Sequence, residues 1–177
     1  MNREPLFRRL LGPAFDKLHP SLRAVHAGDA ARFAGHCEVT RGEGVLSRVL
    51  CAIARLPPAG TRVPVTVVIS AVGDGERWER DFGGHRFVST LWLEEGELAE
   101  RIGPTTYRYR LEASVERIDW NLVAMRVLGV PLPRFARAAV AAGASVQEGE
   151  YAFDVRASMP ISGLLVHYRG RLTPAAP

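Results

Sequence analysis

The sequence predicts an α+β domain that is mainly β: a strongly curved antiparallel sheet or barrel of about 8–10 strands, with N-terminal helices packed on it. Three observations carry this expectation. From residue 32 onward, short segments alternate apolar and polar side chains, the period of a half-buried strand. Glycine- and proline-rich turn signals separate them at fairly regular spacing. Connections of hairpin length dominate, and these join antiparallel neighbours. A twisted sheet of this many strands curls or closes rather than staying flat.

The N-terminal segment 5–27 reads as helical, with Phe15, Leu18, Leu22 and Val25 on one face. Pro13 can open a second helical piece, Pro20 can split it, and Gly28 ends it. Its polar face carries few cations and an aspartate, which suits a helix lidding a sheet better than one lying on a membrane. Residues 32–41 form the first strand: Phe33, Gly35, Cys37 and Val39 face one way, Arg32, His36, Glu38 and Thr40 the other. VLSRVLCAIAR (45–55) is a short apolar helix stopped by Pro57 and Pro58, and VPVTVVISAV (63–72) is a strand ended by Gly73-Asp74-Gly75.

A hairpin follows in ERWERDFGGHRFVSTLWLEEG, residues 76–96. Trp78, Arg80 and Phe82 alternate before Gly83-Gly84; His85, Phe87, Ser89, Leu91 and Leu93 alternate after it. TYRYRLEASV (106–115) points Tyr107, Tyr109, Leu111, Ala113 and Val115 inward. Residues 118–130 are apolar on both faces in places, as in a covered strand. A helical turn or short helix is expected within 133–142, strands over 151–159 and 164–172, and fraying of the tail TPAAP.

At 177 residues the chain fits one domain, a helical segment of about 5–27 preceding a β-rich body of about 32–172. No run of about 20 apolar residues occurs, so no transmembrane helix is expected. The start MNREPLFRRLLGPAF lacks the apolar core and cleavage site of a secretory signal, which points to the cytoplasm. The formal charge is +4, and Lys17 is the sole lysine. The arginines are interleaved with acids along the chain, the pattern of a solvated surface; a nucleic-acid partner would require clustering. Cys37 and Cys51 read as free thiols.

Most tests for chemistry fail. Gly42-Glu43-Gly44 has Ser47 where a dinucleotide loop needs its third glycine, and no acid occurs between Val45 and Gly73 to hold a ribose. His36 and Cys37 point to opposite faces of a strand, and His19 and His26 stand about 10 Å apart on one helix, so neither pair frames a metal. No Gly-x-Ser-x-Gly elbow is present. The acids at 94, 95, 97 and 100 read as a solvated hairpin tip. No catalytic residue, cofactor or metal is assigned on these grounds.

One constellation remains. Trp78, Arg80, Arg86 and Phe87 surround the Gly-Gly turn, and His167, Tyr168 and Arg169 lie on the final strand. Were these strands to converge, arginine forks would meet an apolar pocket, the chemistry for a lipid-like or other apolar, acidic small molecule. A ligand cavity of about 300–1,000 Å³ is then expected. Two other functions stay open. An accessory module for a protein partner would expose an apolar patch. An enzyme would need His85 or His167 in a cleft beside a carboxylate.

The pieces Leu10-Leu11-Gly12-x-Ala14-Phe15, Pro57-Pro58-Ala59-Gly60, Trp78-x-Arg80-x-Phe82-Gly83-Gly84-x-Arg86-Phe87, Gly103-Pro104, Gly129-x-Pro131-Leu132-Pro133, Phe153-Asp154-Val155 and His167-Tyr168-Arg169-Gly170-x-Leu172 run almost end to end. In this order they resemble the bacterial family known as domain of unknown function 4166. The resemblance implies a family without established activity, whose members occur alone or joined to dehydrogenase-like or membrane proteins, an arrangement that suits an accessory role. It carries over no catalytic residue. Position 171, arginine here, is often aromatic in similar sequences.

Overall fold

The computed structural model describes residues 4–28 and 31–175. Three short helices come first: α1 (Leu6–Leu11), α2 (Pro13–Asp16) and α3 (Pro20–His26). The breaks follow from the chain's own chemistry. Gly12 turns to positive φ after α1, and Pro13 and Pro20 stand at the starts of α2 and α3, where a missing N–H removes no helical bond. His19 caps α3, its Nδ1 accepting from the Ser21 backbone N–H at 3.3 Å.

The strands are β1 (Ala31–Arg41), β2 (Gly60–Val72), β3 (Gly75–Phe82), β4 (His85–Glu94), β5 (Glu97–Ile102), β6 (Thr105–Ser114), β7 (Arg117–Val127), the two-residue β8 (Val130–Pro131), β9 (Ala139–Gln147), β10 (Glu150–Met159) and β11 (Gly163–Pro174). Helix α4 (Val45–Ile53) lies between β1 and β2, and a 3-10 turn (Arg134–Ala136) precedes β9. The order β6-β5-β4-β3-β2-β1-β11-β10-β9-β7 is closed by β6 pairing β7, which makes a ten-stranded antiparallel barrel with β8 appended to β7. First and last strands are neighbours, Phe33 opposite Pro174.

Period-two alternation sets what is inside. On β3, Trp78 and Phe82 are buried and Arg80 lies between them in parity; across the hairpin Arg80 pairs with Phe87 and Trp78 with Ser89. Gly83 and Gly84 both hold positive φ, as a tight two-residue turn requires, and the Asp81 carboxylate accepts the Gly84 N–H at 2.7 Å. At Gly35 on β1, a Cβ would fall 1.9 Å from the Arg171 carbonyl oxygen, so the close approach of β1 and β11 depends on glycine.

The two ends differ. The helices close the end where β1 begins: His19 N–H donates to the Val115 carbonyl, and Phe7, Leu22 and Val25 are fully or almost fully buried there. Burying each such side chain stabilises by about 1.5–3 kcal/mol. The opposite end, where β1 runs into α4, is the mouth. The segment from α4 to β2 spans part of it: Ser47 and Cys51 rest on β11, while the Arg55 carbonyl meets His85 Nε2 on β4 at 2.7 Å.

Three expectations are corrected. The helix expected within 133–142 is only the 3-10 turn at 134–136; Ala139–Gln147 is a strand. Its sequence, AVAAGASVQ, has little intrinsic β preference, and pairing with β7 and β10 overrides that. Thr173 and Pro174 are not frayed but extend β11, and residues 176–177 of the tail lie outside the described residues. Val115 is exposed in the β6–β7 turn instead of pointing inward.

Candidate functional site

The barrel interior holds a cavity of about 130 Å³. Its end beneath the helices is an aromatic layer. Phe7, Trp78 and Trp120 pack with ring centroids 5.7–6.5 Å apart, and His26 sits 4.0 Å from Phe7 and 5.6 Å from Trp78. Leu56, on the segment crossing the mouth, lines the other end.

Between these ends the wall is polar on one side. Arg80 Nη1 donates to Ser89 Oγ at 2.9 Å, and Nη2 reaches Glu100 Oε1 at 3.4 Å. The pair is nearly dry, with side chains 13% and 7% exposed. The guanidinium lies over the Trp78 ring at 5.0 Å and near the Phe87 ring at 5.8 Å, so both cation–π contacts help hold its charge inside. Tyr107, Tyr109, Tyr151 and Tyr168 complete this wall. Burial pushes all four phenols upward, Tyr107 and Tyr168 to about 12, and the Arg80 charge pulls against it at Tyr109, Tyr151 and Tyr168. All four therefore remain protonated near neutral pH.

Donors outnumber acceptors here. Arg80 carries five N–H groups and spends two on the contacts above. The hydroxyls of Tyr109, Tyr151 and Tyr168 form no hydrogen bond within the described residues, and Glu100 is the one carboxylate on the wall. A group that accepts several hydrogen bonds, such as a carboxylate or carbonyl, matches this surplus.

Of the seven candidate residues read from sequence, Trp78, Arg80, Phe87 and Tyr168 line the cavity. Arg86, His167 and Arg169 stand on the outer face, where each has a partner: Arg86 with Glu79, His167 with Asp154 at 2.9 Å, Arg169 with Glu38 at 2.9 Å. The hairpin's two candidate arginines, Arg80 and Arg86, thus do not converge, because they have opposite parity on paired strands. Arg171 is also outside, paired with Glu148. His167 does meet a carboxylate, on the outer wall, where its partner Asp154 also lines an open groove; His85 meets the Arg55 carbonyl. Sequence reading missed Glu100, which it grouped with the hairpin-tip acids. The parity Leu98, Glu100, Ile102 was the available signal. It also left out Ser89, Trp120 and Tyr151.

The cavity is smaller than the expected 300–1,000 Å³ because the large rings fill the space that the strands enclose. A second hollow, of about 1080 Å³, is an open groove along the outside of β9. There β7 and β9 pair only from Arg117–Ser145 to Asn121–Ala141, and the groove's Arg117 is held by Asp119 and its Arg137 by the Leu132 and Val123 carbonyls.

A family model described as Domain of unknown function (DUF4166) matches residues 18–172. No curated protein matches the chain. Among solved structures, the crystal structure of Rv2717c from M. tuberculosis is similar, with 13% identity and a TM-score of 0.48 over 90% of this chain and 99% of that one. Neither figure carries a functional argument.

Proposed function

Because the chain belongs to the family described as a domain of unknown function (DUF4166), we propose from the cavity alone that it is a cytoplasmic, non-enzymatic binding domain for a small apolar molecule with an acidic or carbonyl head. The observation that carries this is Arg80: a buried guanidinium beside three phenols that have no hydrogen-bond partner among the described residues, in an aromatic pocket. The head would dock on Arg80 and the phenols, and the apolar body would lie against Trp78, Phe87 and Phe153. A volume of about 130 Å³ is close to that of a cavity that holds one benzene ring, about 150 Å³. A ring-sized or short branched acid fits; a long acyl chain does not without displacement of Leu56.

Benzoate is the simplest probe. Titrated against the intrinsic fluorescence, in which Trp78 and Trp120 report from the wall, it is expected to give a saturable change. Benzyl alcohol should bind at least about tenfold more weakly, since a hydrogen bond to a charged group contributes about 1.5–3 kcal/mol. No saturable response to either compound overturns the proposal.

A second reading, a protein-interaction module accessory to a dehydrogenase-like or membrane protein, draws on a different observation. Helix α4 turns Val45, Val49 and Ile53 to solvent.

A further inference from the structure

Helix α4 is inverted relative to an ordinary surface helix. It meets the barrel through small polar groups: Ser47 Oγ donates to the Leu164 carbonyl at 2.7 Å, and Cys51 Sγ lies 3.2 Å from that of Leu165. Its apolar stripe faces out. Val45, Val49 and Ile53 recur every four residues and are 71%, 49% and 67% exposed. Three turns at the same end of the barrel add single apolar projections: Leu128 between β7 and β8, Phe135 on the 3-10 turn, and Ile161 between β10 and β11, each 80–90% exposed.

Charge is divided between the ends in the same sense. Each of the four turns at the capped end carries an acid, Asp74, Glu95, Glu116 and Glu148, which with Glu4 and Asp16 outnumber the Arg8, Arg9, Lys17 and Arg23 of the capping helices. The five connections at the mouth carry one acid among them, Glu43, against Arg48, Arg55, Arg134 and Arg137. Arg48, Arg55 and Arg134 are exposed and have no ion pair among the described residues; Arg62 and Arg101, at strand ends beside them, are alike in this.

We propose that the mouth docks on an anionic lipid surface, with the α4 stripe and the three turn residues entering the interface and the unpaired arginines over the headgroups. Charge complementarity favours this occupant. Two-fold pairing with a second copy would bring Arg48 and Arg55 against their own equivalents. The apolar groups project singly from four separate segments, which suits insertion into a soft interface. Each arginine near such a surface raises partition about fivefold. Docking does not depend on the ligand reading, although it would set the cavity's mouth against the phase in which small apolar acids concentrate.

Flotation with vesicles of phosphatidylglycerol, and separately of phosphatidylcholine, tests it. The protein is expected to float with the first and at least about tenfold less with the second, and to be released by salt. The double substitution Val49→Glu, Ile53→Glu, on a solvent face and away from the cavity, should lower partition at least about tenfold while benzoate binding and the circular dichroism spectrum stay unchanged. Absence of flotation with phosphatidylglycerol, or flotation indifferent to the substitution, overturns the proposal. So does a dimer in sedimentation equilibrium that the same substitution dissolves. Loss of benzoate binding alone bears on the cavity and leaves docking intact.

Discussion

Arg80→Met is expected to destabilise the protein by about 3–5 kcal/mol, measured by urea unfolding near neutral pH. The substitution removes a charge that is 13% exposed and leaves Glu100, 7% exposed, without its cation. Breaking a buried pair on one side costs about this much because the remaining carboxylate is neither solvated nor neutralised. Ser89 Oγ also loses its donor. Adding Glu100→Leu should recover most of the loss, since an apolar pair of similar volume in place of a buried ion pair is often neutral or stabilising. A cost below about 1 kcal/mol for the single substitution, or no recovery in the double variant, would show that Glu100 reaches water and that the pair is not dry.

The second large effect is on acid stability and resides in His26. Its ring is fully buried between Phe7, Trp78 and Tyr151, and neither nitrogen has a hydrogen-bond partner among the described residues. Burial lowers its pKa to about 3. The unfolded chain takes up the proton near the ordinary value of about 6.5, so stability is full above that pH and falls as pH drops from there towards about 3. Between pH 6.5 and pH 5 the loss from this group is about 2 kcal/mol.

Other carboxyls act in recognisable windows. The arginines beside Asp16, Glu79, Glu97 and Glu148 hold those groups low, so their contributions are lost only in stronger acid. Glu76, raised by burial against the Trp78 indole donor, has the opposite sign and gains stability as pH falls through its folded value. The difference between wild type and His26→Phe isolates the histidine. The acid limb between pH 6.5 and pH 5 is expected to shrink by about 2 kcal/mol in that variant, read from urea midpoints across the range. An unchanged limb would mean that the ring finds a proton acceptor in the folded state.

The run of antiparallel strands was legible because it rests on local signals. Alternation in 32–41, 76–93 and 106–114 fixes which side chains face in, and the Gly83-Gly84 and Gly73-Asp74 turns make neighbours of consecutive strands. The closing strand β9 was not legible. Its alanines fit a helix as readily as a strand, and only the gap between β7 and β10 selects the extended form. The same smallness gives β9 its thin wall.

The site was legible by half. Trp78, Arg80 and Phe87 share an inward parity that the sequence displays, and so does Tyr168. Arg86 and Arg169 were joined to them because arginine chemistry suggested a cluster, although each is one residue out of phase. Parity separates inside from outside along a strand; it cannot say which distant strands meet. Glu100 reaches Arg80 across two consecutive hairpins, β3–β4 and β4–β5, whereas Tyr151 on β10 reaches it only through closure of the ring, a non-local fact. The outward stripe of α4 was equally hidden, since a period of four announces an apolar face without saying which way it points.

The measurement that bears most directly on the cavity is a crystal structure of the protein soaked with para-bromobenzoate, located by bromine anomalous scattering. The account predicts a single strong peak inside the barrel, with the carboxylate within about 3 Å of the Arg80 guanidinium and of at least one of the Tyr109, Tyr151 and Tyr168 hydroxyls. Bromine found only on the outer wall, with the Arg80–Glu100 contact undisturbed and the interior empty, would contradict it.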